Sequence, residues 1–193
     1  MVKRLIVLSL LALSISLFKQ GMLCAQKSFV SLRCDITVEH AGINRYKGEI
    51  FLKDNKSRTE LNMYGMNTVT IMDGNNAYVY MPEQNTAMKI PGFEAREHVP
   101  DVDNYKRDCM FLGEEDVAGR LCSVYSCSKS GKSFKVWMNE EVGFPSKVSG
   151  MGVVTYYQNI DFNLPLADSL FILPEGAQVQ DMNNILNGYG VQQ

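Results

Sequence analysis

The chain has 193 residues, 46% of them hydrophobic and 21% charged, with a formal net charge of -2 and a sequence pI near 5.7. That is enough for one domain with a real core, and it offers no basic surplus for nucleic acid or an anionic membrane surface as main partner. Its two histidines, His40 and His98, stand in no HExxH or nucleophile pattern, so nothing here demands catalysis.

The first element reads as an export signal. Lys3 and Arg4 precede an apolar run from Leu5 to Phe18, and Leu23-Cys24-Ala25 offers small residues for cleavage before Gln26. The run falls short of the ~20 residues of a membrane span, so residues 1–25 are expected to be removed and the protein not to span a membrane. Lipid attachment at Cys24 is the alternative, against which Leu23 stands where a small residue is usual. Cleavage leaves residues 26–193 as a single domain and, by removing Lys3, Arg4 and Lys19, moves the net charge to -5.

About eleven short β segments follow, with almost no helix between them. Alternation is cleanest in the first, where Val30, Leu32, Cys34, Ile36 and Val38 alternate with Ser31, Arg33, Asp35, Thr37 and Glu39. The same period sets Leu61 and Met63 against Glu60 and Asn62, Val69 and Ile71 against Thr68 and Thr70, and Phe134, Val136 and Met138 against Ser133 and Lys135. Turn residues separate these runs, as in Asp54-Asn55-Lys56-Ser57, Tyr64-Gly65-Met66-Asn67, Asp73-Gly74-Asn75-Asn76 and Gly150-Met151-Gly152, which predicts antiparallel hairpins. The rhythm breaks between Pro91 and Tyr105, where a short helix around Phe93 to His98 fits before Pro100 and a flap over residues 92–105 is expected. A sheet apolar on one face must bury that face, so this pattern predicts a mainly β fold that curls around a cavity. The expected lining residues are Val30, Leu32, Ile36, Leu61, Met63, Val69, Ile71, Phe134, Val136 and Met138.

Four cysteines survive cleavage, Cys34, Cys109, Cys122 and Cys127, and an even number in an exported chain is consistent with disulfides. Cys122 and Cys127 would lie about 17 Å apart on one strand, beyond disulfide reach, which favours Cys109–Cys122 with Cys34–Cys127. The other reading makes two or more of them buried apolar thiols. Ser126 to Ser133 lacks the first glycine of a phosphate loop, and Cys122 and Cys127 have no second close pair for zinc, so no cofactor and no metal are expected. Nine methionines survive cleavage, and their unbranched thioethers, which adapt to irregular apolar surfaces, suit a binding face for acyl chains or an uneven core.

Val117-Ala118-Gly119, Ser130-Gly131, Val136-Trp137-Met138-Asn139 and Gly143-Phe144-Pro145-Ser146-Lys147 resemble the lipoprotein carrier (LolA/LolB-like) superfamily of the bacterial envelope. Asn159-Ile160-Asp161-Phe162 and Asp168-Ser169-Leu170-Phe171-Ile172-Leu173-Pro174-Glu175-Gly176 are similar to its closing signature, and the stretches around Gly48, Lys56 and Met72 also fit. Among its branches the chain looks most similar to the uncharacterised DUF4412-like group. The resemblance implies a strongly curved antiparallel sheet forming an incomplete β-barrel, in the periplasm of a Gram-negative bacterium. It also implies a concave apolar face that binds the acyl chain of a lipid or lipoprotein. The alternative reading is a non-enzymatic envelope sensor or protein-interaction module on the same fold, using the same cavity, with an envelope protein as partner. The carriers' plugging helices have no convincing counterpart beyond the flap.

Overall fold

The computed structural model describes residues 30–40, 44–74, 76–90, 107–129 and 131–181. Their alternating pattern forms twelve strands: β1 (Ser31–His40), β2 (Asn44–Lys53), β3 (Lys56–Met63), β4 (Met66–Met72), β5 (Ala77–Met81), β6 (Thr86–Ile90), β7 (Met110–Val117), β8 (Arg120–Lys129), β9 (Lys132–Asn139), β10 (Phe144–Gly150), β11 (Val153–Phe162) and β12 (Gln178–Asp181). Two short 3-10 turns, Pro82–Gln84 and Asp168–Phe171, complete the elements. The signal segment, Cys24 and the flap with its short helix lie outside the described residues.

The strands run in the order β12-β6-β5-β4-β3-β2-β1-β11-β10-β9-β8-β7, and the outermost two do not pair with each other. The expected mainly β, incompletely closed barrel is thereby borne out. One strand departs from the antiparallel rule, because β12 joins β6 in parallel, from Gln178 opposite Thr86 to Asp181 opposite Lys89. The Gln178 amide donates to the Asn85 carbonyl, and Asn85 Nδ2 donates to the Gly176 carbonyl, which aligns the returning chain with β6.

The described residues form two compact units. The first contains β1 up to Ile36, β2 from Tyr46, β3 to β6 and the chain from Gln158 onward. A two-residue hairpin joins β3 to β4 through Tyr64 and Gly65, both left-handed at φ 54° and 78°, the geometry that follows the natural twist of paired strands. Gly48 on β2 tolerates no side chain, since a Cβ there would overlap the Glu60 carbonyl of β3. On one side of this sheet the C-terminal segment packs down, with Leu173 and Ala177 against Val69, Ile71, Tyr80 and Ala87, and with Phe171 wholly buried. Lys53 and Lys56 hold Asp168 at 3.1 and 3.2 Å, and Arg58 Nη1 donates to the Leu170 carbonyl at 3.0 Å.

The second unit contains β1 from Thr37, β7 to β10 and β11 up to Tyr157. Its ladders set Tyr125, Val136, Val148 and Thr155 in one buried row, with Cys127, Phe134 and Val153 on the same face. The opposite face carries a small cluster of Cys122, Val124 and Trp137, where Trp137 Nε1 donates to Glu115 at 2.6 Å and the Lys147 ammonium lies 4.0 Å from the ring centre.

A single disulfide is formed among the described residues, Cys109–Cys127, with Cα atoms 4.6 Å apart, and the expected pairs Cys109–Cys122 and Cys34–Cys127 do not form. The β7–β8 ladder explains this. Met110 faces Ser126, which sets Cys109 beside Cys127, whereas a bulge between Phe111 and Gly113 shifts the register so that Cys122 faces Glu115. Cys34 and Cys122 remain buried thiols, as the second reading of these cysteines held.

Candidate ligand-binding face

Register decides which side chains of the first unit share a face. The β3–β4 hairpin pairs Met63 with Met66, Leu61 with Thr68 and Thr59 with Thr70, while β2 sets Ile50 opposite Thr59 and Leu52 opposite Ser57. One face therefore carries Tyr46, Ile50 and Leu52 from β2, Ser57, Thr59, Leu61 and Met63 from β3, Thr68 and Met72 from β4, and Ala77 and Val79 from β5, all buried. On β1 the Arg33 guanidinium pairs with Glu49, which lies on the other face, so Leu32, Cys34 and Ile36 turn toward the apolar one.

This arrangement places Leu32, Ile36, Leu61 and Met63 on one face. Val69 and Ile71 lie on the opposite face, with Glu60 and Arg58 as their ladder partners, inside the cluster under the C-terminal segment. A two-residue turn pairs odd positions with even ones, so carrying the apolar set from Leu61 and Met63 to Val69 and Ile71 crossed the sheet. Val30 does not line the face either. It stands 64% exposed before β1, its N–H donating to Asn163 Oδ1 at 3.0 Å. Phe134, Val136 and Met138 share the buried face of the second unit.

Sequence alternation missed the hydroxyls. Ser57 and Thr59 alternate with Lys56 and Arg58, and Thr68 and Thr70 flank Val69, and these hydroxyl side chains form a band across β3 and β4 within the apolar face. Thr59 Oγ1 and the Tyr46 hydroxyl are both buried and find no hydrogen bond of good geometry among the described residues. Each such group costs about 1–3 kcal/mol when left unpaired. Burial holds the Tyr46 phenol well above its ordinary range, and a side-chain interaction with the hydroxyl and charge of Tyr64, whose ring stands edge-to-face at 5.3 Å, adds to the shift. Ser or Thr at alternate positions of two successive strands was the signal available for this band.

The other face of β2 to β4 is ionic. A cleft of about 350 Å³ is lined by Lys47, Glu49, Arg58, Glu60, Asn62 and Asn67 among others. Arg58 Nε donates to Glu60 at 2.6 Å, and Arg33, paired with Glu49, also lies 3.7 Å from Asp35 and 3.6 Å from Asp161. The Glu49 hydrogen bond and charge raise the Arg33 pKa further. These charges largely neutralise one another. Among the described residues no group of three or more His, Cys, Asp or Glu side chains could hold a metal ion, and no helix is long and apolar enough to cross a membrane.

Comparisons with known proteins give a family and one likeness of fold. The model of a domain of unknown function, DUF4412, matches residues 32–152. An uncharacterised protein of Methanocaldococcus jannaschii is 30% identical over 122 residues, which cover 56% of this chain and 36% of that protein, so the chain spans about a third of that relative's length. A crystal structure of an uncharacterised conserved protein from Thermus thermophilus aligns with a TM-score of 0.59 at 12% identity, over 88% of this chain and 98% of that one. A LolA superfamily protein from Nitrosomonas europaea aligns with a TM-score of 0.37 at 12% identity, over 80% and 94% of the two chains. The Thermus likeness is the one that speaks to the fold.

Proposed function

The chain belongs to the DUF4412 family, and from that premise we propose that it is a non-enzymatic binding protein that holds the acyl chain of a lipid or lipoprotein against the apolar face of its first unit. The observation that carries this reading is the continuous face from Leu32 and Ile36 through Ile50, Leu61, Met63 and Met72 to Val79, buried over five adjacent strands and interrupted only by the hydroxyl band of β3 and β4. Met63 and Met72 lend it adaptability, since a thioether follows an irregular chain better than a branched side chain does. These residues are already buried without a ligand. An acyl chain reaching them therefore exchanges one burial for another, and gains less than the ~25 cal/mol per Å² of an open surface. The sequence resemblance to envelope lipoprotein carriers supports the same reading and an exported, periplasmic location. Under that reading the mature protein begins near Gln26, and its intact mass in the envelope fraction lacks residues 1–25 and carries no acyl group at Cys24. A retained leader would overturn the location.

Binding is tested with a fluorescent fatty-acyl probe on the mature, folded protein. Saturable binding is expected, weakened roughly tenfold by Leu61→Gln or Met63→Gln and unchanged by Lys47→Gln on the ionic face. Circular dichroism must show each variant folded, because a buried polar group costs about 1–3 kcal/mol. Folded wild-type protein that binds no acyl probe would refute the proposal. Docking of an envelope protein is then the second reading, favoured by the sheet edge at β7, where Met110, Phe111 and Leu112 stand exposed.

A further inference from the structure

An apolar face built only for hydrocarbon has no use for a buried hydroxyl without a partner, and this face holds two. Thr59 and Tyr46 are 4% and 6% exposed, and neither hydroxyl makes a hydrogen bond of good geometry among the described residues. Thr59 faces Thr70 directly across the β3–β4 ladder, a pairing in which threonine hydroxyls commonly bond to each other, yet its oxygen is left over. Tyr46 lies on the same face further along β2, beyond Gly48, where its ring packs on Tyr64 and its hydroxyl approaches that of Tyr64 short of good hydrogen-bond geometry, so Thr59 is the hydroxyl of this face left wholly without a partner among the described residues. Unpaired polar groups at such depth are retained where something else satisfies them.

We infer that the face takes an oxygenated acyl ligand, an ester or amide rather than a bare hydrocarbon, with the Thr59 hydroxyl donating to its carbonyl oxygen and the Tyr46 hydroxyl as a second donor. This rests on the acyl-binding reading and deepens it, because it places the carbonyl end of the ligand inside the apolar face at the hydroxyl band. The alkyl part lies over Ile50, Leu61 and Val79, and the carbonyl meets Thr59 where Thr68 and Thr70 add further polarity.

The test compares methyl laurate with tetradecane, an alkane of the same chain length, as competitors of a bound fluorescent acyl probe on the mature disulfide-bonded protein. The ester is expected to displace the probe at roughly tenfold lower concentration. Thr59→Val removes the hydroxyl at nearly constant shape, so it should bring the ester down to parity with the alkane and leave the alkane unchanged. The melting temperature of the ligand-free variant should stay the same or rise. Tyr46→Phe provides the same comparison should Thr59→Val not fold. Equal potency of the two competitors on wild type, equal weakening of both by Thr59→Val, or a lowered melting temperature of that variant overturns the inference. Equal potency leaves acyl binding standing, whereas failure of both competitors and of the probe to bind removes the acyl-binding reading along with this one.

Discussion

Cys34 is wholly buried on β1, and desolvation pushes its thiol from 9.0 up to about 12, with Asp35 adding to the shift. The unfolded chain therefore releases this proton at a pH where the folded chain still holds it. The contribution to stability is complete below about pH 9 and is lost as the pH rises from there toward 12. Urea unfolding of wild type and Cys34→Ala should show it as a difference. Wild type should lose roughly 1.4 kcal/mol per pH unit relative to the variant in that window. Parallel curves for the two proteins between pH 9 and pH 11 would show that the thiol ionises as freely in the folded state. At this scale the sequence was readable where the alternation was unbroken. Leu32, Cys34 and Ile36 lie on the face that their period assigns, whereas Val30, one step before the strand begins, is held by Asn163, a contact 133 positions away that no local pattern encodes.

Among the elements, the β7–β8 hairpin combines a local and a long-range constraint. Ala118 and Gly119 make its turn, at φ 54° and 79°, and Cys109–Cys127 closes the far end over a separation of 18 residues. A loop of that size restricts the unfolded chain by about 3 kcal/mol, so Cys127→Ala should lower the unfolding free energy by roughly that amount, read from denaturant curves at matched slope. An unchanged midpoint in protein shown to be oxidised would mean that the bridge constrains nothing. The cysteine pairing was not legible because it depends on a bulge at Gly113, whose φ of 127° breaks the simple count of residues along β7. Likewise the place of Val69 and Ile71 depended on turn length. With a two-residue turn at Tyr64-Gly65, the same alternation puts Thr68 and Thr70 beside Leu61, and the hydroxyl band follows from the order of the residues alone.

At the scale of the whole molecule, the strand count and the open sheet were accessible from period-two patterning and frequent turn residues. Strand β12 was not. Gln178-Val179-Gln180-Asp181 has little apolar content to mark a strand, and its parallel pairing is fixed by the backbone and amide of Asn85. The adjacency of β1 and β11 has a consequence in time. Ser31–His40 lies next to Val153–Phe162, so the centre of the sheet closes only when two segments more than a hundred positions apart have met. Closing such a loop costs entropy before any ladder bond repays it, which makes this step slow compared with the hairpins formed by neighbouring strands. While the chain is still being synthesised, β1 has no partner on that side until the last fifth of the sequence emerges. The topology itself thus delays completion of the fold, and a polypeptide that folds late is one that can still be threaded through a narrow pore.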